Sequence, residues 1–267
     1  LYKTKHMDLA GIISCAGVFS VFFGFMYGSF FGFEDVLKAI WLKPMNQMMD
    51  VPLVGRLNAV FVIAIGFGMF IILICMVFNI INSIRRGDTE KTWFDSNAVA
   101  GLVFYGSIVL TIGLFISGKK LPAAAILVIM FGVPLLLMFL KEPLTNLVEK
   151  KSKILPEQKG MFFVQSFFEL FEVLLSYLSN TLSFLRIGAF AVSHAAMMEV
   201  VLMLAGATNG GNPNWIVVVL GNIFVCAMEG LIVGIQVLRL EYYEIFSRFY
   251  AGNGREFKPF MKAAHKN

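Results

Sequence analysis

Two arginines lie deep inside the last two apolar runs of this 267-residue sequence. Arg186 and Arg239 are far from the ends of their runs, whereas the other arginines lie near run ends or between runs. On insertion scales an arginine at the centre of a membrane helix costs roughly 2.5 to 3.5 kcal/mol. A charge placed at such a cost indicates a functional site.

Each arginine belongs to a polar stripe along its helix. At about 100° per residue, polar side chains of the fifth run fall on one side, within about 100° of Arg186. In the sixth run polar residues recur every seven positions, with Arg239 close to the same stripe. The members are Gln165, Glu169, Glu172, Ser176, Ser179, Ser183, Ser193 and His194 in the first stripe, and Asn222, Glu229, Gln236 and Tyr243 in the second. In a bilayer such stripes must face protein or water.

Two interpretations of the stripes are open. A structural hydrogen-bond zipper would pair Arg186 or Arg239 with Glu172 or Glu229, whereas an ion path would leave the arginines available. The sequence favours the ion path. His194 suits a proton relay because imidazole exchanges a proton near neutral pH, although a packed neutral histidine is the alternative. Small residues beside Arg186, namely Gly188, Ala189 and Ala191, predict a smooth face that a partner can approach closely.

The composition defines the elements that position these residues. Hydrophobic residues make up 58% of the chain and charged residues 15%, and the mean hydropathy is +0.78, so the chain must lie in lipid. The net charge of +5 comes from short basic clusters between apolar runs, which is typical of membrane topology signals and not of a nucleic-acid groove. The three cysteines lie inside apolar runs and suggest neither a disulfide framework nor a metal site. No phosphate-binding loop motif occurs, so no ATP site and no cofactor are expected.

Six apolar runs predict an all-α integral membrane bundle of about six spans. If residues 161–205 cross the membrane once, loops rich in Lys and Arg alternate with loops that have few basic residues. Basic loops lie on the cytoplasmic side, so both chain ends are expected in the cytoplasm. The last two spans, at about 160–206 and 214–250, are then long and tilted. The runs are residues 8–31, 53–84, 97–117, 121–140, 161–205 and 215–250.

Several stretches resemble subunit a, also called subunit I, of V/A-type rotary ATPases. Residues 176–194 read SYLSNTLSFLRIGAFAVSH, and residues 228–243 read MEGLIVGIQVLRLEYY. The chain then closes with FYAGNGREFKPF at residues 249–260. An earlier span of the same subunit is similar to residues 17–31. The resemblance covers nearly the whole chain.

The resemblance implies that residues 1–267 are the membrane domain of a larger subunit, whose cytosolic stator domain and first helix pair are absent. The six spans would be the last six of eight, in a prokaryotic plasma membrane. Implied partners are a rotor ring of c/K-type subunits that carry an essential carboxylate, peripheral stalk subunits reached through the missing domain, lipid, and transported H⁺ or Na⁺.

The resemblance also implies roles for single residues. The ring-facing arginines correspond to Arg186 and Arg239, and the half-channel positions to Glu172, His194, Glu229 and Gln236. Asn180 departs from relatives that carry histidine there.

The expected mechanism couples ion flow to rotation. A carboxylate on a rotor ring can cross lipid only when it is neutral, and an arginine would favour its anionic form and so drive ion release. Two offset half-channels, one along Glu169 and Glu172 and one along Glu229 and Gln236, would feed the ring. A secondary transporter or channel with its own intramembrane Arg/Glu site is the alternative. It would predict an internal repeat or paired broken helices, and the sequence displays neither.

Overall fold

The computed structural model describes residues 8–28, 33, 48–51, 55–87, 92–120, 122–148, 159–207 and 213–250. In these parts the chain is mainly helical, with one short antiparallel hairpin. The hairpin strands are β1 (Met48–Val51) and β2 (Gly55–Asn58). The helices are α1 (Asp8–Tyr27), α2 (Ala59–Arg86), α3 (Val99–Ile116), α4 (Ala124–Phe139), α5 (Lys141–Val148), α6 (Lys159–Ser183), α7 (Leu185–Leu204) and α8 (Trp215–Leu240), followed by a π-helix (Glu241–Phe246) and α9 (Ser247–Phe249).

The number of spans agrees with the sequence prediction. Five described helical stretches are long and apolar enough to cross a membrane, and α4 with α5 makes six if that pair is counted as one span bent by 73°. The fold class, an all-α multi-pass membrane protein, is therefore confirmed. The tilt of the long spans and the position of the chain ends stay predictions, and the acidic loop at Glu34 and Asp35 lies outside the described residues.

The longest uninterrupted helix, α2, is the centre of the bundle. Asn58 starts α2 by accepting a hydrogen bond from the backbone N–H of Val60 at 3.1 Å, and Gly87 ends it in a left-handed conformation with φ of 75°. One side of α2 packs into a cluster of buried side chains from α3, α4, α6 and α8, whereas large apolar side chains elsewhere on α2 remain exposed, as lipid requires. Buried members of the cluster include Ile72, Met76, Phe104, Tyr105, Met138, Tyr177, Phe184 and Leu240.

The fifth span is one stretch of 45 residues, from Gly160 to Leu204, interrupted by a turn at Phe184. The Phe184 ring is 1% exposed and lies on Gly68 of α2, where an added Cβ would come within 2.2 Å of Phe184 Cγ. Glycine at position 68 is therefore what lets the α6–α7 junction dock against α2.

The sixth span continues from α8 through the π-helix into α9, over 35 residues. Asn214 starts it by accepting a hydrogen bond from the Ile216 N–H at 3.1 Å. Its first half packs on α7, and Gly221 permits this close approach because an added Cβ would lie 2.4 Å from the Val201 side chain. The fifth and sixth spans therefore lie side by side with their polar stripes within reach of each other.

Candidate functional site

The clearest contact between the two stripes joins His194 of α7 to Glu229 of α8. Nδ1 of His194 and Oε2 of Glu229 are 2.5 Å apart, and the two side chains are 47% and 15% exposed. This contact links the polar stripe of α7 to that of α8. The stripe arithmetic had placed His194 with the acidic residues of its own span, but the structure places it with Glu229 on the neighbouring helix.

Buried polar atoms without partners occur on the same two helices, α7 and α8. Nη1 of Arg186, the second residue of α7, is buried and makes no hydrogen bond within the described part of the chain. The same holds for Oε1 of Glu229 and Oε1 of Gln236 on α8. Unsatisfied groups of this kind are rare in proteins and call for water, an ion or a partner group.

The described residues do not form the structural hydrogen-bond zipper that was the alternative interpretation. Arg186 and Arg239 form no ion pair with Glu172 or Glu229 there, and the carboxylate of Glu229 bonds to His194 instead. Arg239, in the last turn of α8, is exposed. Within the described residues, neither predicted arginine is therefore neutralised by Glu172 or Glu229.

The acidic residues of α6 lie elsewhere, in a polar cavity of about 290 Å³. Glu169 and Glu172 both line it, and their neighbours in the wall come from the residues just before α3, from α6 and from the end of the sixth span. Glu169 forms an ion pair with Lys141 of α5, whereas the exposed carboxylate of Glu172 has no such pairing among the described residues. Glu172 is therefore the freer acid of the two. The lining residues are Ser96, Asn97, Glu169, Glu172, Val173, Ser176, Tyr177, Asn180, Ser247 and Arg248.

The small residues beside Arg186 do not form one open face. Gly188 is buried against α2, where an added Cβ would lie 2.9 Å from Phe61 Cδ1 and 3.3 Å from the Val60 carbonyl oxygen. Ala189 is exposed and Ala191 is half-buried. The expectation of a smooth outer face thus needs correction at Gly188, whose small size serves packing within the chain.

Sequence reasoning missed Arg248, which it had treated as a residue at the end of a span. Arg248 is 6% exposed, donates from Nη1 to Asn97 Oδ1 at 3.0 Å, and lies 5.8 Å from the centroid of the Tyr177 ring. Its Nη2 is buried and has no partner in the described ranges. The spacing of Glu244 and Arg248, one helical turn apart in an apolar run, was the signal available in the sequence.

These features define a multi-pass helical membrane protein with ionisable groups at two places along its last two spans. Such groups within a membrane mark ion or proton pathways.

Comparison with known proteins agrees with this class. Residues 141–262 match the V-type ATPase 116kDa subunit family. The chain is 25% identical to the A-type ATP synthase subunit I of Pyrococcus horikoshii over 272 residues, which are 97% of this chain and 37% of that protein.

Shorter segments are more similar to other relatives. The identity to the A-type ATP synthase subunit I of Saccharolobus solfataricus is 44% over 100 residues, 34% of this chain and 14% of that protein. The identity to the human V-type proton ATPase 116 kDa subunit a 3 is 35% over 106 residues, 35% of this chain and 13% of that protein.

The chain is thus similar to subunit I of A-type ATP synthases and to subunit a of V-type ATPases, which agrees with the resemblance seen in the motifs. It spans well under half the length of these relatives, between 13% and 37% in the three cases given.

Proposed function

We propose that this chain is the membrane domain of a rotary ATPase stator subunit and forms the stationary ion path beside a rotor ring. One observation carries the proposal: the buried Nη1 of Arg186 has no partner among the described residues, although the carboxylate of Glu229 lies on the helix packed against it. An arginine kept in an apolar span without a partner is suited to receive an anion from another chain.

The anion would be a carboxylate carried by the rotor ring. A bare carboxylate does not cross lipid, so the ring residue travels neutral, with a proton or a sodium ion bound. Near Arg186 and the exposed Arg239 the anionic form is favoured, and the bound ion leaves. Arginine stays cationic throughout and blocks direct passage of ions between the two sides.

Two separate polar regions would connect the ring with the two sides of the membrane. One is the cavity that contains Glu169 and Glu172, and the other is the α7–α8 interface with His194, Glu229 and Gln236. Ion flow from one region to the other through a turn of the ring would then be coupled to ATP hydrolysis or synthesis by the soluble part of the complex. Peripheral stalk subunits would hold the stator through a domain outside residues 1–267.

The test measures ATP-driven ion uptake into vesicles that carry the assembled complex. Arg186→Lys and Arg186→Ala are compared with wild type and with Arg85→Ala, which removes an exposed arginine at the end of α2. Both Arg186 variants are expected to lose uptake while the detached soluble sector keeps its ATPase activity, and Arg85→Ala is expected to behave as wild type.

Normal uptake in both Arg186 variants would refute the role of this arginine and the proposed function with it. Repeating the wild-type measurement in sodium and in sodium-free buffer identifies the transported ion.

A further inference from the structure

The fifth and sixth spans are joined at one end and separated at the other. At the joined end, which we call the packed end, Val201 of α7 lies against Gly221 of α8 and His194 bonds to Glu229. At the other end both α6 and α9 contribute to the wall of the polar cavity of about 290 Å³. Side chains do not pack across an open cavity of that volume, so the spacing of the two spans there depends on contacts within the wall.

Two residues of that wall, Ser96 and Asn97, bond to three different spans. The carbonyl oxygen of Asn97 accepts a hydrogen bond from Nδ2 of Asn79 on α2 at 2.9 Å. Its Oδ1 accepts one from Nη1 of Arg248 on α9 at 3.0 Å. The carbonyl oxygen of Ser96 accepts one from the hydroxyl group of Tyr177 on α6. Ser96 and Asn97, which we name the clamp, therefore tie the second, fifth and sixth spans together.

The clamp is itself fixed in place. The N–H of Ser96 donates to Oδ1 of Asp95 at 2.8 Å, and the N–H of Ala98 donates to the Asp95 carbonyl oxygen at 3.0 Å. Gly101 of α3 lies so close to the clamp that an added Cβ would be 1.5 Å from the Ser96 carbonyl oxygen. A backbone held by its own turn and packed against α3 gives the neighbouring spans a fixed point.

Arg248 is the side chain through which the sixth span reaches the clamp. It is 6% exposed, its Nε donates to the Glu244 carbonyl oxygen at 3.2 Å, and its guanidinium carbon lies 5.8 Å from the centroid of the Tyr177 ring. Its buried Nη2 has no hydrogen bond within the described residues, so loss of Asn97 Oδ1 would leave a second nitrogen unpaired there. Bonds to charged groups are among the strongest in proteins, and a buried charge that loses one is destabilising. The attachment therefore depends on Asn97.

Each predicted arginine lies between the two attachments. In the fifth span Arg186 comes after Tyr177 and before the packed end, and in the sixth span Arg239 comes after the packed end and before Arg248. With both attachments in place, the two helices fix the relative position of the two guanidinium groups. Without the clamp the spans are free to separate at the cavity, and displacements on the order of 1 Å at reacting groups are enough to lower rates.

We propose that Asn97 is a positioning residue that acts through Arg248 to fix the spacing of the fifth and sixth spans, and with it the placement of Arg186 and Arg239. The inference rests on the proposed ion-path function and adds to it a residue just before the third span. A ring carboxylate then meets the two arginines at their correct spacing only while the clamp holds. When the clamp is lost, the ring passes the stator without exchanging its ion, and ATP hydrolysis runs without transport.

The first test measures the spacing in the assembled complex. Spin labels are attached to Leu178→Cys on α6 and Tyr250→Cys after α9, two exposed positions within two residues of the cavity lining. Pulsed electron paramagnetic resonance then records the distribution of distances between the labels. Exposed Cys15 and Cys226 are replaced by alanine, whereas Cys75 is buried and stays. A complex without the introduced cysteines gives the background.

Asn97→Ala is expected to lose the single narrow distribution of the wild-type residue and to give a broad one. Asn97→Asp keeps an acceptor for Arg248 at the same place and should retain the narrow distribution. A second label pair, at exposed Val200 of α7 and Leu220 of α8, reports on the packed end and should not change in either variant. Broadening at the cavity with an unchanged packed end separates loss of the clamp from general unfolding.

The second test measures the ratio of ions taken up to ATP hydrolysed, in vesicles from which detached soluble sector has been washed. A defect of stability lowers the amount of complex and leaves this ratio unchanged, whereas loss of positioning lowers the ratio itself. Asn97→Ala should lower it roughly fivefold, the factor that corresponds to one net hydrogen bond. Asn146→Ala, at a half-buried asparagine of α5, is the matched control and should behave as wild type.

An unchanged distance distribution or an unchanged ratio in Asn97→Ala would overturn the proposal, as would a broad distribution in Asn97→Asp. If Asn97→Ala does not assemble, Asn79→Ala decides, because it removes the bond to the Asn97 carbonyl oxygen and leaves the Asn97 side chain in place. A wild-type distribution there is equally contrary. Retained uptake in both Arg186 variants would instead remove the proposed function, while the distance distribution would still report on the clamp.

Discussion

The pair formed by His194 and Glu229 yields a prediction that a double-mutant cycle can test. The change is His194→Gln, Glu229→Gln and their combination in the assembled complex. The pair joins α7 to α8 through a contact of 2.5 Å between Nδ1 and Oε2. If the contact supports transport, then the second substitution should matter less once the first has been made.

The expected coupling follows from the exposure of the two side chains. A hydrogen bond to a charged group contributes about 1.5 to 3 kcal/mol when it is well shielded from water. His194 is 47% exposed, so solvent screening reduces the figure to about 1 kcal/mol. A coupling of about 1 kcal/mol is roughly a fivefold difference in rate between the double variant and the product of the two single effects.

The assay is the initial rate of ATP-driven ion uptake into vesicles for the four proteins of the cycle. Glu199→Gln replaces Glu229→Gln in a matched control cycle, because Glu199 is an exposed carboxylate of α7 that lies off the stripe. The control cycle should be additive. Additive effects of His194→Gln and Glu229→Gln would refute the view that this contact acts in transport.

Two further predictions concern how the spans are held. Gly68→Ala should destabilise the domain by about 1 to 3 kcal/mol, because the added Cβ would lie 2.2 Å from Phe184 Cγ. Thermal unfolding tests this: Gly68→Ala should lower the unfolding temperature, whereas Gly66→Ala, with open space at its Cβ inside the same helix, should not lower it. Asn214→Ala should cost about 1 kcal/mol through loss of the cap on α8, whereas Asn214→Ser should recover most of it, and equal unfolding temperatures for all three proteins would contradict this account.

The sequence was sufficient for the spans, while the choice of the two arginine-bearing helices stays a prediction. Apolar length and loop charge depend on local composition, so they predicted six runs that the described helices match. The interruption at Phe184 could not be derived in this way. It depends on a steric fit with Gly68, a residue of a different span, and no local pattern reveals that contact.

Helical arithmetic failed where the helix was not regular. The stripe that ran from Glu172 to His194 assumed one uniform helix, but the turn at Phe184 separates α6 from α7. In the sixth span the π-helix at Glu241–Phe246 widens the turns and changes which way later residues point. Arg248 therefore lies in the cavity beside the α6 residues, although it follows Arg239 in an apolar run and had been assigned to a span end.

The interruption at Phe184 also bears on how a leak would be prevented. Glu172 and His194 are separated by 22 positions, which is about 33 Å along a helix and comparable to the ~30 Å thickness of the hydrocarbon layer. Between them lie Tyr177, Thr181 and Phe184, all buried in the bundle. A continuous polar stripe over that length would let ions cross without moving a ring. Under the proposed function, the buried Phe184 between the two polar regions would separate them, so that ions pass from one to the other only through a turn of the ring.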